Sequence, residues 1–306
     1  MKIIITGAKG MVGRNIAEKL SQKGKYDLFL PSRSEVDLLN ASDTFRYIND
    51  VKPDLIIHSA GIVGGIQANI KHPVKFLTEN VDIGRNVILG AKESKVRNLI
   101  NLGSSCMYPR EIENPLKEEY ILKDKLEPTN EGYALAKIYA AKLCEYIVKE
   151  GDDYNYKTII PCNLYGKWDK FDPSHSHMVA AVIKKIHEAK EQNSDKVIIW
   201  GNGKARREFM YSEDLADFVD FAIKNFSKIP NLMNIGLGYD YTINEYYNVI
   251  SNVIGFNGKF EHDLSKPTGM QQKLLDVTRQ NDLGWQPKYS LEEGIKYTYE
   301  FYKRIK

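Results

Sequence analysis

Lys2-Ile3-Ile4-Ile5-Thr6-Gly7-Ala8-Lys9-Gly10-Met11-Val12-Gly13 opens the chain with a β-branched apolar run that stops at three glycines spaced three apart. The run predicts a strand buried on both faces, as in a parallel sheet, and the pattern from Met11 to Gln22 predicts a helix. A tight strand-to-helix turn through glycines lets the backbone approach a pyrophosphate and points the helix N-terminus at it. The spacing is not GxGxxG, but the physical demand is similar. Gly7, Ala8, Lys9, Gly10, Met11, Val12 and Gly13 are therefore candidate dinucleotide contacts.

Further along, Tyr26 to Leu30, Leu55 to His58, Asn98 to Leu102 and Lys157 to Ile160 read as strands. Helical patterns lie between them at Ala41 to Val51, Val74 to Gly90 and Tyr133 to Val148, with a flexible loop opening at Gly64-Gly65. Such alternation argues for an α/β fold, a Rossmann-type doubly wound parallel sheet with its ligand at the carboxyl ends of the strands. Beyond Gly166 the pattern loosens. Trp168 to His177 reads as a polar, aromatic loop, followed by helices at Met178 to Lys190, Asp214 to Lys224 and Asn244 to Ile254. Short strands are expected at Val197 to Trp200 and Met233 to Ile235. The expected division is a dinucleotide domain over residues 1–166 plus about 207–235. A smaller, partly interleaved α/β substrate lobe is expected over about 167–206 and 236–306.

At the tip of the second strand no acidic residue waits for a ribose 2′-hydroxyl; Ser32-Arg33-Ser34 stands there instead. A cation in that turn, together with Lys9, suits a 2′-phosphate, so NADP(H) is the expected cofactor. Composition narrows the partners. The 306 residues carry a formal net charge of +3, too balanced to argue for nucleic acid. No apolar run approaches the roughly 18 residues of a membrane span. Lys2 to Thr6 is too short for a signal peptide, so the cytoplasm is expected. Cys106, Cys144 and Cys162 show neither disulfide nor metal-ligand spacing, and no metal site is expected.

Chemistry concentrates in Tyr133-Ala134-Leu135-Ala136-Lys137. Residues four apart share a helix face, so the phenol and the ammonium look into one site. The cation is expected to pull the phenol pKa towards working pH, fitting Tyr133 to deliver a proton to an alkoxide. Ser104, at a strand tip, adds a hydroxyl able to hold a substrate carbonyl beside it.

With the glycine turn, this Ser–Tyr–Lys set resembles the extended short-chain dehydrogenase/reductase family. The likeness narrows to its GDP-L-fucose synthase branch through Gly103-Ser104-Ser105-Cys106-Met107-Tyr108-Pro109, Leu126 to Lys137 and Lys273-Leu274-Leu275-Asp276-Val277-Thr278-Arg279. Asn163-Leu164-Tyr165-Gly166, Ser174-His175-Ser176-His177 and Arg206-Arg207-Glu208-Phe209 agree with it. The resemblance implies a GDP-linked 4-keto sugar substrate, inverted at C3 and C5 and then reduced at C4 with NADPH. It implies Cys106 as the base and His177 as the acid of the inversions, with Ser104, Tyr133 and Lys137 serving the reduction. Asn163, Lys185, Trp200, Arg207 and Lys273 are implied sugar-nucleotide contacts. The implied cofactor set adds Arg33, Ser34, Asp37, Leu38, Leu102, Gly103, Ser104, Ser105, Lys137, Pro161, Cys162, Asn163, Leu164 and His177. Lys185 stands where the branch often has Arg, a point charge instead of a bidentate fork. Two alternatives stay open: a C4 reductase or dehydrogenase of a GDP-heptose without inversion, and an idle NADP-binding regulatory protein. In related enzymes two helices meet their twofold mates, so a homodimer is implied, here through apolar positions Val81, Ile83, Val87, Ile138, Leu143 and Ile147.

Overall fold

The computed structural model of the chain describes residues 1–22, 24–151, 153–172, 176–266 and 270–306. Ser174 and His175 of the expected 168–177 loop lie outside them. Six parallel strands form the central sheet: β1 (Lys2–Thr6), β2 (Asp27–Phe29), β3 (Leu55–His58), β4 (Asn98–Leu102), β5 (Asn155–Pro161) and a late arrival, β10 (Leu232–Ile235). Their order is β10-β5-β4-β3-β1-β2. Ile3 faces Leu28 on one side and Leu55 on the other, so strand order reverses at the β1/β3 boundary. That boundary is where doubly wound sheets open a crevice for ligand.

The strand period of two sorts the core. Ile3, Ile5, Ile57 and Ile100 enter one apolar cluster, while Ile4, Ile56 and Leu99 enter another on the opposite face. α1 (Met11–Ser21) and α7 (Ser212–Lys224) cover the first face; α2 (Ala41–Val51), α4 (Pro73–Glu93) and α5 (Glu131–Glu150) cover the second. Ile3, Ile5, Ile56 and Ile57 are fully buried, each contributing about 1.5–3 kcal/mol of burial free energy. The expected flexible loop at Gly64-Gly65 leads at once into a short helix, α3 (Ile66–Lys71), whose Asn69 amide donates to the carbonyls of both glycines.

The remaining elements build a second core. β7 (Lys196–Trp200) pairs in parallel with β12 (Lys259–Asp263). Around that pair gather α6 (Met178–Glu191), α8 (Ile243–Ile254) and α10 (Leu291–Ile305). β8 (Arg206–Arg207) is flanked by β11 (Tyr241–Thr242) and β13 (Gln272–Lys273), and β6 (Asn163–Tyr165) pairs with β9 (Phe209–Tyr211). α10 and β12 go unmarked in the sequence reading, although Ser290 and Glu293 form a capping box that announces α10. Among the described residues no helix is long and apolar enough to cross a membrane.

Of the apolar positions expected to mediate dimerisation, Ile83, Val87, Ile138 and Ile147 are consumed inside the protomer. The apolar residues that α4 and α5 leave exposed are Val74, Leu135, Tyr139 and Tyr146.

Candidate active site

The glycine turn is built for close approach. Gly7 sits at φ +71°, and a Cβ there would lie 2.8 Å from the Ala60 backbone. At Gly13 a Cβ would lie 2.5 Å from the Gly7 carbonyl and 2.6 Å from Ser59 Oγ. Substitution at either position would push α1 off the β1 and β3 tips. The N-cap of α1, Gly10, supplies no side-chain cap, and the first turn carries no acidic residue. First-turn N–H groups of that kind suit a diphosphate, so the cradle fits the dinucleotide expected from sequence.

The turn after β2 holds a feature that the sequence reading missed. Glu35 accepts from Ser32 N at 2.7 Å, and its carboxyl is held below the usual range by that turn and by nearby Lys9. An acidic group therefore does sit beyond β2, committed to the backbone while Arg33 is exposed. Asp37 Oδ1 accepts from Leu39 N at 3.0 Å, and the Leu38 carbonyl accepts from Asn86 at 2.9 Å.

The catalytic candidates converge at the β4 tip. After Leu102 and Gly103, Ser104 Oγ accepts from Cys106 N at 3.2 Å and its side chain hydrogen-bonds Tyr133. Lys137 Nζ donates to the Leu102 carbonyl at 2.9 Å and lies 5.9 Å from the Tyr133 ring centroid. The spacing argument for Tyr133 and Lys137 thus holds in space, but its electrostatic corollary does not. Burial pushes the Tyr133 phenol well above its ordinary value, negative charge at Cys106 adds to the rise, and the Ser104 bond only partly opposes it. The physical reason is that desolvation of the phenolate outweighs a cation held on a backbone carbonyl. Tyr133 is consequently a neutral phenol, the protonated form that an acid needs. Burial also brings Lys137 down to about 8. Buried His58, at the β3 tip, is held at about 3 by burial and by Lys137, so it stays neutral.

Cys106 joins the two cores. Asn130 Nδ2 lies 3.2 Å and Lys273 Nζ 3.8 Å from its sulfur. Lys273 is in register with Arg207 across the β13–β8 pair, which brings two cations of the expected substrate set to one edge. Arg207 is partly buried near Glu127 and Asp240, one guanidinium nitrogen donating to the Arg206 carbonyl at 2.7 Å. A cavity of about 220 Å³ opens beside Tyr133, lined in part by Asn69, Phe76 and Asn130. Asn69 and Asn130 each leave a buried amide oxygen without a partner.

The other expected residues are placed less directly. His177 caps α6 in contact with solvent, yet surrounding protein and Lys170 hold its pKa below the usual histidine value. Asn163 spends its amide N–H on the Glu208 carbonyl at 3.0 Å, leaving its oxygen for ligand. Pro161 ends β5, while Cys162 and Leu164 are buried beside it, and burial pushes the Cys162 thiol up. Ser105 is buried under the β4 tip. Lys185 donates to the Ile198 carbonyl of β7 and is partly desolvated. Trp200 lies exposed at the β7 end with Lys266 Nζ 5.7 Å from its ring centroid. Among the described residues no acidic, cysteine or histidine cluster could hold a metal.

Residues 3–236 match the model of the NAD dependent epimerase/dehydratase family. The chain belongs to that family. It is 55% identical to a GDP-L-colitose synthase of Yersinia pseudotuberculosis, over 99% of this chain and 98% of the relative. It is 48% identical to a GDP-L-fucose synthase of Azorhizobium caulinodans, over 98% and 96% of the two chains. The solved structure of a GDP-mannoheptose C4 reductase from Campylobacter jejuni, with NADP bound, superposes at a TM-score of 0.90. It is 35% identical and covers 99% of this chain and 98% of its own. The chain is therefore an enzyme whose fold takes a nicotinamide dinucleotide.

Asn130 and Glu208 are site residues that the sequence reading quotes within motifs without assigning a part. The Lys137 pKa carries a prediction. Lys137 is protonated below about 8, and the phenolate left when Tyr133 gives up its proton is stabilised only by the protonated form. The pH profile of kcat/KM for cofactor oxidation should fall as pH rises through about 8; a profile flat well beyond that value would contradict the role of Lys137.

Proposed function

We propose that this chain is an NADPH-dependent epimerase–reductase acting in the cytoplasm on GDP-4-keto-6-deoxy-mannose or a close GDP-deoxysugar. It inverts C3 and C5 and reduces C4, giving GDP-L-fucose or its counterpart. The observation that supports this reading is the closeness of Cys106 to Tyr133 and Lys137 at the β4 tip, the sulfur faced by Asn130 and Lys273. Both inverted carbons flank the C4 carbonyl, so removing either proton gives an enolate whose oxygen lies near the same donors, Ser104 and Tyr133.

Cys106 accepts the proton from C3 or C5, and the neighbouring ammonium and amide are placed to meet the charge of its thiolate. His177, at the N-terminus of α6, returns a proton to the opposite face. Tyr133 then gives its proton to the C4 oxygen while Ser104 holds that oxygen and Lys137 supports the phenolate. NADPH, when bound, supplies the hydride. It would be held by Gly7 to Gly13, Arg33, Ser34, Asp37, Leu38, Leu102 to Ser105, Lys137, Pro161 to Leu164 and His177. Asn163, Lys185, Arg207 and Lys273 would hold the sugar diphosphate, and exposed Trp200 offers a face to the base. In this reading residues 1–166 and about 207–235 serve the cofactor, and the remaining residues serve the nucleotide sugar.

A second reading, C4 reduction of a GDP-heptose without inversion, is favoured by the likeness to the heptose reductase structure. Solvent deuterium separates the two. Wild-type enzyme given GDP-4-keto-6-deoxy-mannose should consume NADPH and carry deuterium into C3 and C5. Cys106→Ser should lose the deuterium while retaining part of the NADPH consumption, because a serine hydroxyl is far too weak an acid to act as the base near neutral pH. NADPH consumption without deuterium in the wild type would replace the epimerase reading with the reductase one.

Preference for NADPH rests on Arg33 with Lys9 against a Glu35 already bound to its own turn. Arg33→Ala should weaken NADPH by about tenfold while barely changing NADH, as removal of one charge-assisted phosphate contact implies. Equal losses for both cofactors would dismiss Arg33 as the discriminator.

The same reading includes a homodimer, formed through Val74, Leu135, Tyr139 and Tyr146 on the outer face of α4 and α5. Light scattering at micromolar concentration should give twice the chain mass, and Leu135→Glu with Tyr146→Glu should give the monomer. A monomeric wild type would refute it.

A further inference from the structure

Asn130 sits where the thiol, the phenol and the cavity meet, and the reading above uses only the end of its amide that faces the sulfur. It ends the single 3-10 turn Pro128–Asn130 that precedes α5. Its backbone N–H donates to the Glu127 carbonyl at 3.1 Å, and Glu127 Oε1 takes the Thr129 hydroxyl at the same distance. The turn is thus fastened from both sides, and the Asn130 side chain leaves it at a set place. One end of the amide lies 3.2 Å from Cys106 Sγ. The other end is a buried oxygen without a partner, in a residue that lines the cavity beside Tyr133. A buried amide oxygen left unsatisfied is costly, so an acceptor kept in that state calls for a donor from outside the chain.

We infer that Asn130 is a bridge: its N–H groups position the Cys106 sulfur, and its oxygen accepts a hydroxyl of the sugar next to the carbon that Cys106 deprotonates. This rests on the epimerase–reductase reading for the sugar, but not for the sulfur. The chemistry follows from proximity. A base removing a proton from a carbon beside the ketone brings that carbon's other substituents within reach of whatever holds the base. A ring hydroxyl on or adjacent to that carbon then satisfies the free oxygen, and seating the substrate also fixes the sulfur. The orientation of the amide follows from the same demand. Turned the other way, its oxygen would hold the thiol proton in place and oppose the base. The charged and titratable groups facing Cys106 are Lys273 from β13 and Tyr133 and Lys137 from α5. All are left intact by substitution at 130.

Thiol alkylation by iodoacetamide at pH 7 tests the sulfur half without any sugar. Cys144 and Cys162 are buried, the first pushed up to about 12 and the second well above its ordinary value, so Cys106 is the thiol that reacts. Asn130→Ala should slow alkylation about three- to tenfold, the scale of one hydrogen bond. Asn130→Asp, of equal size but bringing a negative charge to the sulfur, should slow it by more than about tenfold. With GDP-4-keto-6-deoxy-mannose, both variants should lose solvent deuterium uptake at C3 and C5 far more than NADPH oxidation, with NADPH affinity unchanged.

Alkylation unchanged or faster in both variants would overturn the bridge, since the amide would then be holding a proton on the sulfur or not touching it. Equal losses of deuterium uptake and NADPH oxidation would also overturn it, reducing Asn130 to a structural part of the turn. Should the wild type oxidise no NADPH with any GDP-4-keto sugar, the functional reading and the sugar half of the bridge would fall together. The alkylation rates would still decide the sulfur half.

Discussion

A carboxylate with no access to solvent ties the two cores and the site together. Glu208, between β8 and β9, accepts N–H groups from Leu237 at 2.5 Å, Gly238 at 3.0 Å and Leu275 at 2.9 Å. One oxygen clasps the loop after β10, the last strand of the parallel sheet; the other clasps the strand that brings Lys273 to Cys106. Burying a carboxyl group is expensive unless its lone pairs are met. Desolvation pushes Glu208 up to about 7 while the three N–H groups pull it back, so the pins hold because they are nearly sufficient. Gly236 completes the arrangement, because a Cβ there would fall 2.3 Å from the Glu208 carboxylate. The clasp adds to the β8–β13 pairing that sets Arg207 opposite Lys273 and ties that cationic edge to the loop after β10.

This dependence explains what a reader of the sequence can and cannot recover. The sheet strands are local statements: Ile3-Ile4-Ile5 and Leu55-Ile56-Ile57 declare burial on both faces, and the glycines after β1 declare a turn that only they allow. The Tyr133–Lys137 pair is legible because four residues is one helical turn. Such signals need no knowledge of the rest of the chain, and the structure places them where periodicity implies. α10 is legible too, through the Ser290–Glu293 capping box and the apolar phase Leu291, Ile295, Tyr302.

The partners of Glu208 lie 29, 30 and 67 residues away, and those of Cys106 lie 24 and 167 away. No spacing rule reaches that far. The same distance explains the misjudged phenol. From sequence, Lys137 is the charge one helical turn on from Tyr133, and a cation there argues for a lowered pKa. Burial and the sulfur, both products of the tertiary fold, reverse the sign. Four of the six expected dimer positions, Ile83, Val87, Ile138 and Ile147, are buried in the protomer for a related reason, since an apolar residue in a helix does not declare whether it faces its own sheet or another molecule.

The reversed sign makes better chemical sense of a site proposed both to invert and to reduce. Negative charge on Cys106 raises the affinity of both Tyr133 and Lys137 for their protons. In the proposed mechanism, charge on the sulfur draws the phenol and the ammonium towards their protonated forms. Once the sulfur has taken a proton from the substrate, that restraint lifts, and the phenol becomes a stronger acid towards the oxygen at C4. In the proposed mechanism, inversion before reduction would follow from where these protons rest.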